Sequence, residues 1–260
     1  MAVPQDAWGY VAGTVEMTDR DFEILRALYR AEIAYLDRRI GQLVDLLKAH
    51  GEWEDTVFLV TGDHGENIGD HGLMDHQYCL YDTLLHVPLA IHGGSFTGGG
   101  TVEDLVSLTD LAPTLLDEAG IDAPEFRAQA QGRSFHPDAE AEPRDRIVAE
   151  YMAPQPSMDA LETRVGDLPE HVREYDRSLR AIRTDRYKYI RGSDGSRGLY
   201  DLQRDPSETE NLAATRGDVV ADLDATLEEW LDSFEHADRS GDVEMREETR
   251  ARLEDLGYLQ

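Results

Sequence analysis

Ile33, Leu36, Ile40, Leu43 and Leu47 step by three and four residues, the period of one face of a helix. Thr18 stands three residues before Asp21, as in a capping box, and Gly51 follows His50 where a left-handed residue commonly ends a helix. A helix from Thr18 to His50 with one buried stripe is predicted. The period then shortens. TVFLVT (residues 56–61) and VPLAIHGG (87–94) are continuous apolar runs rich in β-branched residues, which suits strands covered on both faces. Helix followed by buried strand, repeated, predicts an α/β fold with a mostly parallel sheet flanked by helices.

SLTDLAPTLLDEAG (107–120) reads as a further helix, with Thr109 or Asp110 near its cap and Gly120 at its end. Residues 121–177 carry scattered prolines and charges and read as irregular surface chain. From Ser178 the character changes: SLRAIRTDRYKYIRGSDGSRGLYDL predicts an antiparallel meander turning at Thr184-Asp185 and Ser193-Asp194-Gly195. Val220, Leu223, Leu227, Leu231 and Phe234 then mark one face of a last helix. The expected organisation is an α/β domain over residues 1–177 and a small C-terminal antiparallel α+β subdomain over 178–260.

Charge narrows the partners. The 260 residues hold 54 acidic against 25 basic side chains, a formal net charge of -29, which would repel nucleic acid and anionic membrane. Only Lys48 and Lys188 are lysines; the other basic residues are arginines. Acid spread along the whole chain with lysine nearly eliminated reads as a surface suited to concentrated salt, a halophilic composition. Mean hydropathy is -0.52, and no apolar run is long enough for a membrane span or a signal-peptide core, so a cytoplasmic location is expected. Cys79 is the single cysteine and implies no internal disulfide.

The candidate chemistry lies in VTGDHGENIGDHGLMDHQY (60–78), where Asp63-His64, Asp70-His71 and Asp75-His76 alternate with Gly62, Gly65, Gly69 and Gly72. Asp63 and His64 follow the predicted strand at its carboxyl end, where open α/β sheets place their ligands. Carboxylate and neutral imidazole both donate to divalent ions, so the pair is a plausible metal half-site that needs further donors. An isolated Asp-His pair is more simply a hydrogen bond that orients a loop. Three pairs among four glycines after a buried strand favour the site.

TVFLVTGDHGENIGDHGLMDHQYCLYDTLLHVPLAIHG resembles the sulfatase family of the alkaline-phosphatase-like superfamily, with its strand, Asp-His-Gly or Asp-Asn-Gly, Gly-rich loop and second strand. SLRAIRTDRYKYI followed by LYDLQRDPSETENLA is similar to the family's closing segment, and AYLDRRIGQLVDLL to its helix before the metal strand. The resemblance implies an alkaline-phosphatase-like sulfatase fold, here partial, and hydrolysis of a sulfuric ester on a sulfated small molecule or glycan. By position it makes Asp63 and His64 ligands of a single divalent cation, calcium in most of the family and manganese or zinc in some relatives. It places His76 against the substrate's sulfate, as a catalytic residue that neutralises charge in the transition state. Asp70 and Asp75 read as solvated or supporting carboxylates, His71 and His86 as surface or packing residues, and His92 as structural.

Two family features are missing from this sequence. The formylglycine nucleophile is made from Cys or Ser in a C-x-P-S-R-like or S-x-P-x-R-like signature, but Cys79 sits in CLYDT and no serine fits. Nothing before residue 18 resembles the paired Asp-Asp of the family's first strand. The resemblance therefore covers the second half of a catalytic domain, which implies a truncated or split gene product, or a half whose expected partner is a separately encoded N-terminal half. Phosphate or phosphonate ester hydrolysis on the same scaffold is the alternative chemistry, and a non-catalytic metal-binding or interaction domain the alternative class. Lys188 reads as a residue whose stem packs while its head forms a salt bridge, Tyr187, Tyr189 and Tyr200 as strand residues, and DPSETEN (205–211) as a turn into the last helix.

Overall fold

The computed structural model describes residues 3–139 and 142–233. Met1–Asp224 forms one compact unit, and a second begins at Ala225. The elements run α1 (Ala7–Val11), α2 (Asp19–His50), β1 (Phe58–Thr61), β2 (Asn67–Ile68), β3 (Met74–Asp75), α3 (Asp82–Leu85) and β4 (Leu89–His92). There follow α4 (Leu111–Glu118), α5 (Pro124–Gln129), β5 (Ile147–Tyr151), α6 (Met158–Val165), α7 (Glu170–Arg173), β6 (Leu179–Arg183), β7 (Tyr187–Gly192), β8 (Arg197–Asp201) and α8 (Gly217–Asp232). Phe234, expected on the last helix, lies outside the described residues.

Helix α2 starts and stops as its sequence predicts. Thr18 and Asp21 form the reciprocal capping box, and Gly51 closes the helix at φ 76°. The buried stripe is not there: no residue of α2 is buried, and Ile33 and Leu36 are 54% and 58% exposed. The first turns dock, and Ile40, Val44 and Leu47 farther along are half-buried. Phe22 meets Tyr10 edge-on at 5.3 Å, and Arg26 Nη2 donates to the Ile68 carbonyl at 2.6 Å. Helical periodicity reports a face that can be covered, and among the described residues no element covers the middle of α2.

The expected parallel sheet is also corrected. Among the described residues every strand pairing is antiparallel: β1 with β4, β2 with β3, and a four-stranded sheet ordered β5-β6-β7-β8. A continuous apolar run signals burial and says nothing of direction. The chain between β1 and β4 makes a hairpin and the short α3 rather than a crossover helix, so it returns antiparallel. Leu89 and its neighbours on β4 are largely exposed, so the second strand is not covered on both faces.

The meander after Ser178 is present as β6-β7-β8, with Gly195 at φ 85° in its second turn. Residues 121–177 are more ordered than their composition suggests: Leu161 on α6 and Val172 on α7 are fully buried, and β5 joins the meander as a fourth strand. That sheet therefore draws strands from both sides of residue 177. Two apolar cores result. One joins Val11, Leu73, Tyr78, Cys79, Leu84, Leu161 and Val172; the other joins Leu80 to Leu179, Ala181, Ile190 and Tyr200 on the sheet. The segment from Tyr78 to Leu85 contributes to both, so it is clamped from two sides.

Arg186 closes the β7-β8 end of this sheet by donating through Nε and Nη2 to Asp201 Oδ2 at 3.1 and 2.8 Å. These hydrogen bonds hold the Asp201 carboxyl below the ordinary carboxylate range. Because the folded value is depressed, the stabilisation is present above the unfolded value of about 3.9 and is lost as pH falls through the folded value. Asp201→Asn should lower the urea midpoint at neutral pH, and the difference from wild type should narrow as pH falls below the ordinary carboxylate range, measured by urea denaturation across that range.

Candidate functional site

The glycine-spaced segment folds as a tight hairpin. β2 and β3 pair Asn67 with Asp75 and Ile68 with Met74, and the turn between them runs through Gly69 at φ 86°, His71 at φ 54° and Gly72 at φ 73°. This register returns the chain so that Glu66 and His76 come together although they are ten positions apart. Asp75 and Tyr78 are also held at positive φ, 76° and 66°, a conformation that non-glycine residues adopt only under constraint.

The loop bearing Asp63 and His64 is fixed from below by the clamped segment. Gly65 N–H donates to the Leu84 carbonyl at 2.8 Å, and a Cβ on Gly65 would lie 1.9 Å from the Thr83 carbonyl oxygen. Glycine is required there by close backbone approach. Asn67, fully buried, accepts from Thr83 Oγ1 at 2.7 Å and reaches Cys79 Sγ at 3.5 Å.

Within this frame the side chains converge. His64 Nδ1 lies 2.8 Å from the Gly65 carbonyl, and since a carbonyl only accepts, Nδ1 carries the proton. Nε2 is then the lone-pair nitrogen, 3.8 Å from Asp63 Oδ2. The His64 ring stacks on His76 with centroids 4.2 Å apart. His76 Nδ1 lies 2.5 Å from Asp75 Oδ1 and 3.5 Å from Glu66 Oε2. Donor atoms of Glu66, Asp75 and His76 all lie within 4.8 Å of one another.

The electrostatics favour a cation. The Asp63 carboxyl is held below its ordinary range, first by the hydrogen bond from the His64 backbone N–H. Burial, and then the charge of Asp75, push the Glu66 carboxyl above its ordinary range. Divalent ions bind these donor types at about 2.0–2.6 Å, so one ion can span the 3.8 Å between Asp63 Oδ2 and His64 Nε2. The Nδ1–H to carbonyl bond is the contact that sets the tautomer of a metal-binding histidine. The residues present therefore fit a divalent cation.

The structure thus gathers Asp63, His64 and His76. Asp75, expected to be solvated or supporting, orients His76. Glu66 was not singled out from the sequence; its signal was a carboxylate two residues beyond the first Asp-His pair. The remaining pair and His92 stand apart. Asp70 caps its own turn by accepting from Ile68 N–H at 2.9 Å, His71 stacks on Tyr81 at 3.6 Å, and His92 stacks on Trp53 at 4.5 Å. Burial pushes the Cys79 thiol up, away from the reactive thiolate.

The family model described as Sulfatase matches residues 8–121, which contain the whole loop and hairpin. Arylsulfatase K of Bos taurus is 30% identical over 217 residues, covering 82% of this chain and 38% of that protein. The chain belongs to the sulfatase family. Solved structures share the fold. A 2-O GAG sulfatase superposes with a TM-score of 0.72 over 95% of this chain and 53% of its own, at 21% identity. The phosphonate monoester hydrolase of Agrobacterium radiobacter matches with a TM-score of 0.65 at 30% identity, over 83% of this chain and 42% of its own. This sulfatase-family chain thus spans between about one-third and one-half of the length of these relatives. Among the described residues no helix is long and apolar enough to cross a membrane.

Replacing Gly65 by Ala tests the frame. The added methyl meets backbone rather than a movable side chain, so Gly65→Ala should destabilise the protein by roughly 1–3 kcal/mol. It should also weaken divalent-cation binding. Urea denaturation and calorimetric titration with Ca²⁺ and Mn²⁺ check the two effects, and unchanged values in both would refute the packing argument.

Proposed function

We propose that this chain supplies the metal-loop part of a sulfuric ester hydrolase. The observation that carries the reading is the disposition of His64: its proton is committed to the Gly65 carbonyl, and its free nitrogen faces Asp63 Oδ2 beside Glu66, Asp75 and His76. Asp63 and His64 would hold a divalent cation, which when bound supplies positive charge at the sulfate oxygens and the nucleophile. Calcium is the first expectation from the oxygen donors, whereas the imidazole leaves manganese or zinc open. With Nδ1 engaged by Asp75, Nε2 is the nitrogen of His76 left to meet a sulfate oxygen, a contact that strengthens as charge develops. The ester would belong to a sulfated small molecule or glycan.

No residue of this sequence forms the nucleophile signature, and the fold offers a place for a chain that does. Leu28, Ile33, Leu36, Leu43 and Leu46 leave α2 exposed and apolar, and β1 and β4 pair only with each other among the described residues. Such a face and such open strand edges call for a partner element. We assign it to an N-terminal half of the catalytic domain carrying the formylglycine residue. The alternative chemistry, phosphonate ester hydrolysis, is favoured by the 30% identity to the Agrobacterium radiobacter enzyme.

The test is turnover of p-nitrophenyl sulfate and of p-nitrophenyl phenylphosphonate, with the chain alone and with a co-expressed N-terminal half, in buffers up to molar salt. Sulfate turnover that appears only on complementation supports the proposal; a phosphonate preference supports the alternative; no turnover in either leaves a binding domain. In the complemented enzyme His76→Ala should lower kcat about 10²–10³-fold, and Asp63→Asn should abolish dependence on added cation.

A further inference from the structure

We propose that Lys188, which lies in the C-terminal sheet, is a positioning residue for the Asp63-His64 loop; the inference rests on that loop being the functional site. Lys188 is fully buried on β7, in a chain whose composition otherwise nearly excludes lysine. Its ammonium meets three acceptors: Asp82 Oδ1, Glu208 Oε1 at 2.9 Å and the Leu80 carbonyl at 3.3 Å. Two carboxylates lie within ion-pair distance of the charge and one carbonyl accepts a hydrogen bond, an arrangement around a point charge that the planar fork of an arginine would not reproduce. Glu208 is itself buried, and Asp82 is partly so. Glu208, at φ 53°, turns its other oxygen to the Asp82 backbone N–H at 2.6 Å, and burial pushes its carboxyl above the ordinary range.

Asp82 is the first residue of α3, and the next two residues make the contacts on which the loop sits. Thr83 binds Asn67 through its hydroxyl and presses its carbonyl against Gly65, and the Leu84 carbonyl accepts the Gly65 N–H. A continuous path therefore leads from the buried ammonium through the α3 turn to the backbone beside His64. Removing the charge leaves the buried Glu208 facing Asp82, whose other oxygen Arg183 reaches at 3.5 Å, and relief comes by moving the α3 turn, which the loop follows.

The test uses the whole chain and needs neither metal nor turnover. In Lys188→Met, imidazole ¹⁵N resonances of His64 and His76 should shift, and the Gly65 amide should exchange at least about tenfold faster. Amides of the β6-β7 and β7-β8 ladders should keep their protection. Adding Glu208→Gln, which removes one of the stranded charges and keeps an oxygen for the Asp82 N–H, should restore the Gly65 protection in part. Lys188→Arg should not restore it. Unchanged loop signals, or loss of ladder protection together with the loop, would overturn the proposal, the second outcome marking a purely structural lysine. If Lys188→Met does not fold, Asp82→Asn carries the same expectation. Failure of sulfate turnover in the complemented enzyme would sink the functional reading while leaving these loop measurements intact.

Discussion

One backbone contact governs the candidate site: Gly65 lies against the Thr83-Leu84 peptide, donating its N–H to one carbonyl and leaving no room for a Cβ before the other. A loop of alternating acid and imidazole has no apolar surface with which to hold itself in place. It must borrow rigidity, and it does so by leaning on a segment that two hydrophobic cores clamp from opposite sides. The functional groups can thus remain partly exposed, with Asp63 largely in solvent and His64 and His76 about half so, while the backbone that carries them is fixed. Preorganisation of this kind lets weakly packed side chains act together on an ion or an anion.

The distribution of apolar surface follows the same division. Burial is concentrated around the Tyr78–Leu85 segment and the four-stranded sheet, whereas α2 and the β1-β4 pair hold apolar residues in the open. The supporting half of the site is therefore well packed, and the face that remains open belongs to the elements leading into and out of the loop. A second arrangement, with an apolar α2 face simply left to water, conflicts with a composition that has otherwise saturated the surface with acid.

How much could be read from the sequence depends on the range of the interaction. Thr18, Asp21 and Gly51 mark the ends of α2 correctly because caps are local hydrogen bonds within a few residues. The meander was legible from its turns for the same reason. Strand direction in β1 and β4 was not, since it depends on what the intervening chain does in space, and the buried stripe on α2 was not, since periodicity cannot supply the surface that covers it. Asp63, His64 and His76 were visible as residue types at a strand end. Glu66 joins them through the β2-β3 register, and Lys188 reaches Asp82 across more than a hundred residues, so the partners of neither could be read locally.

The donor set bears on why a histidine stands beside the aspartate. An amide or carboxylate at position 64 would offer only oxygen, and several oxygens near a half-buried Glu66 and Asp75 make a hard, calcium-like environment. An imidazole adds a nitrogen whose availability depends on one proton, and that proton is parked on the Gly65 carbonyl. The same glycine thus fixes the loop backbone through its N–H and the histidine tautomer through its C=O. Backbone position and ligand identity are set together, so a change that lifts Gly65 from Leu84 must also release the His64 proton and, with it, the lone pair directed at Asp63.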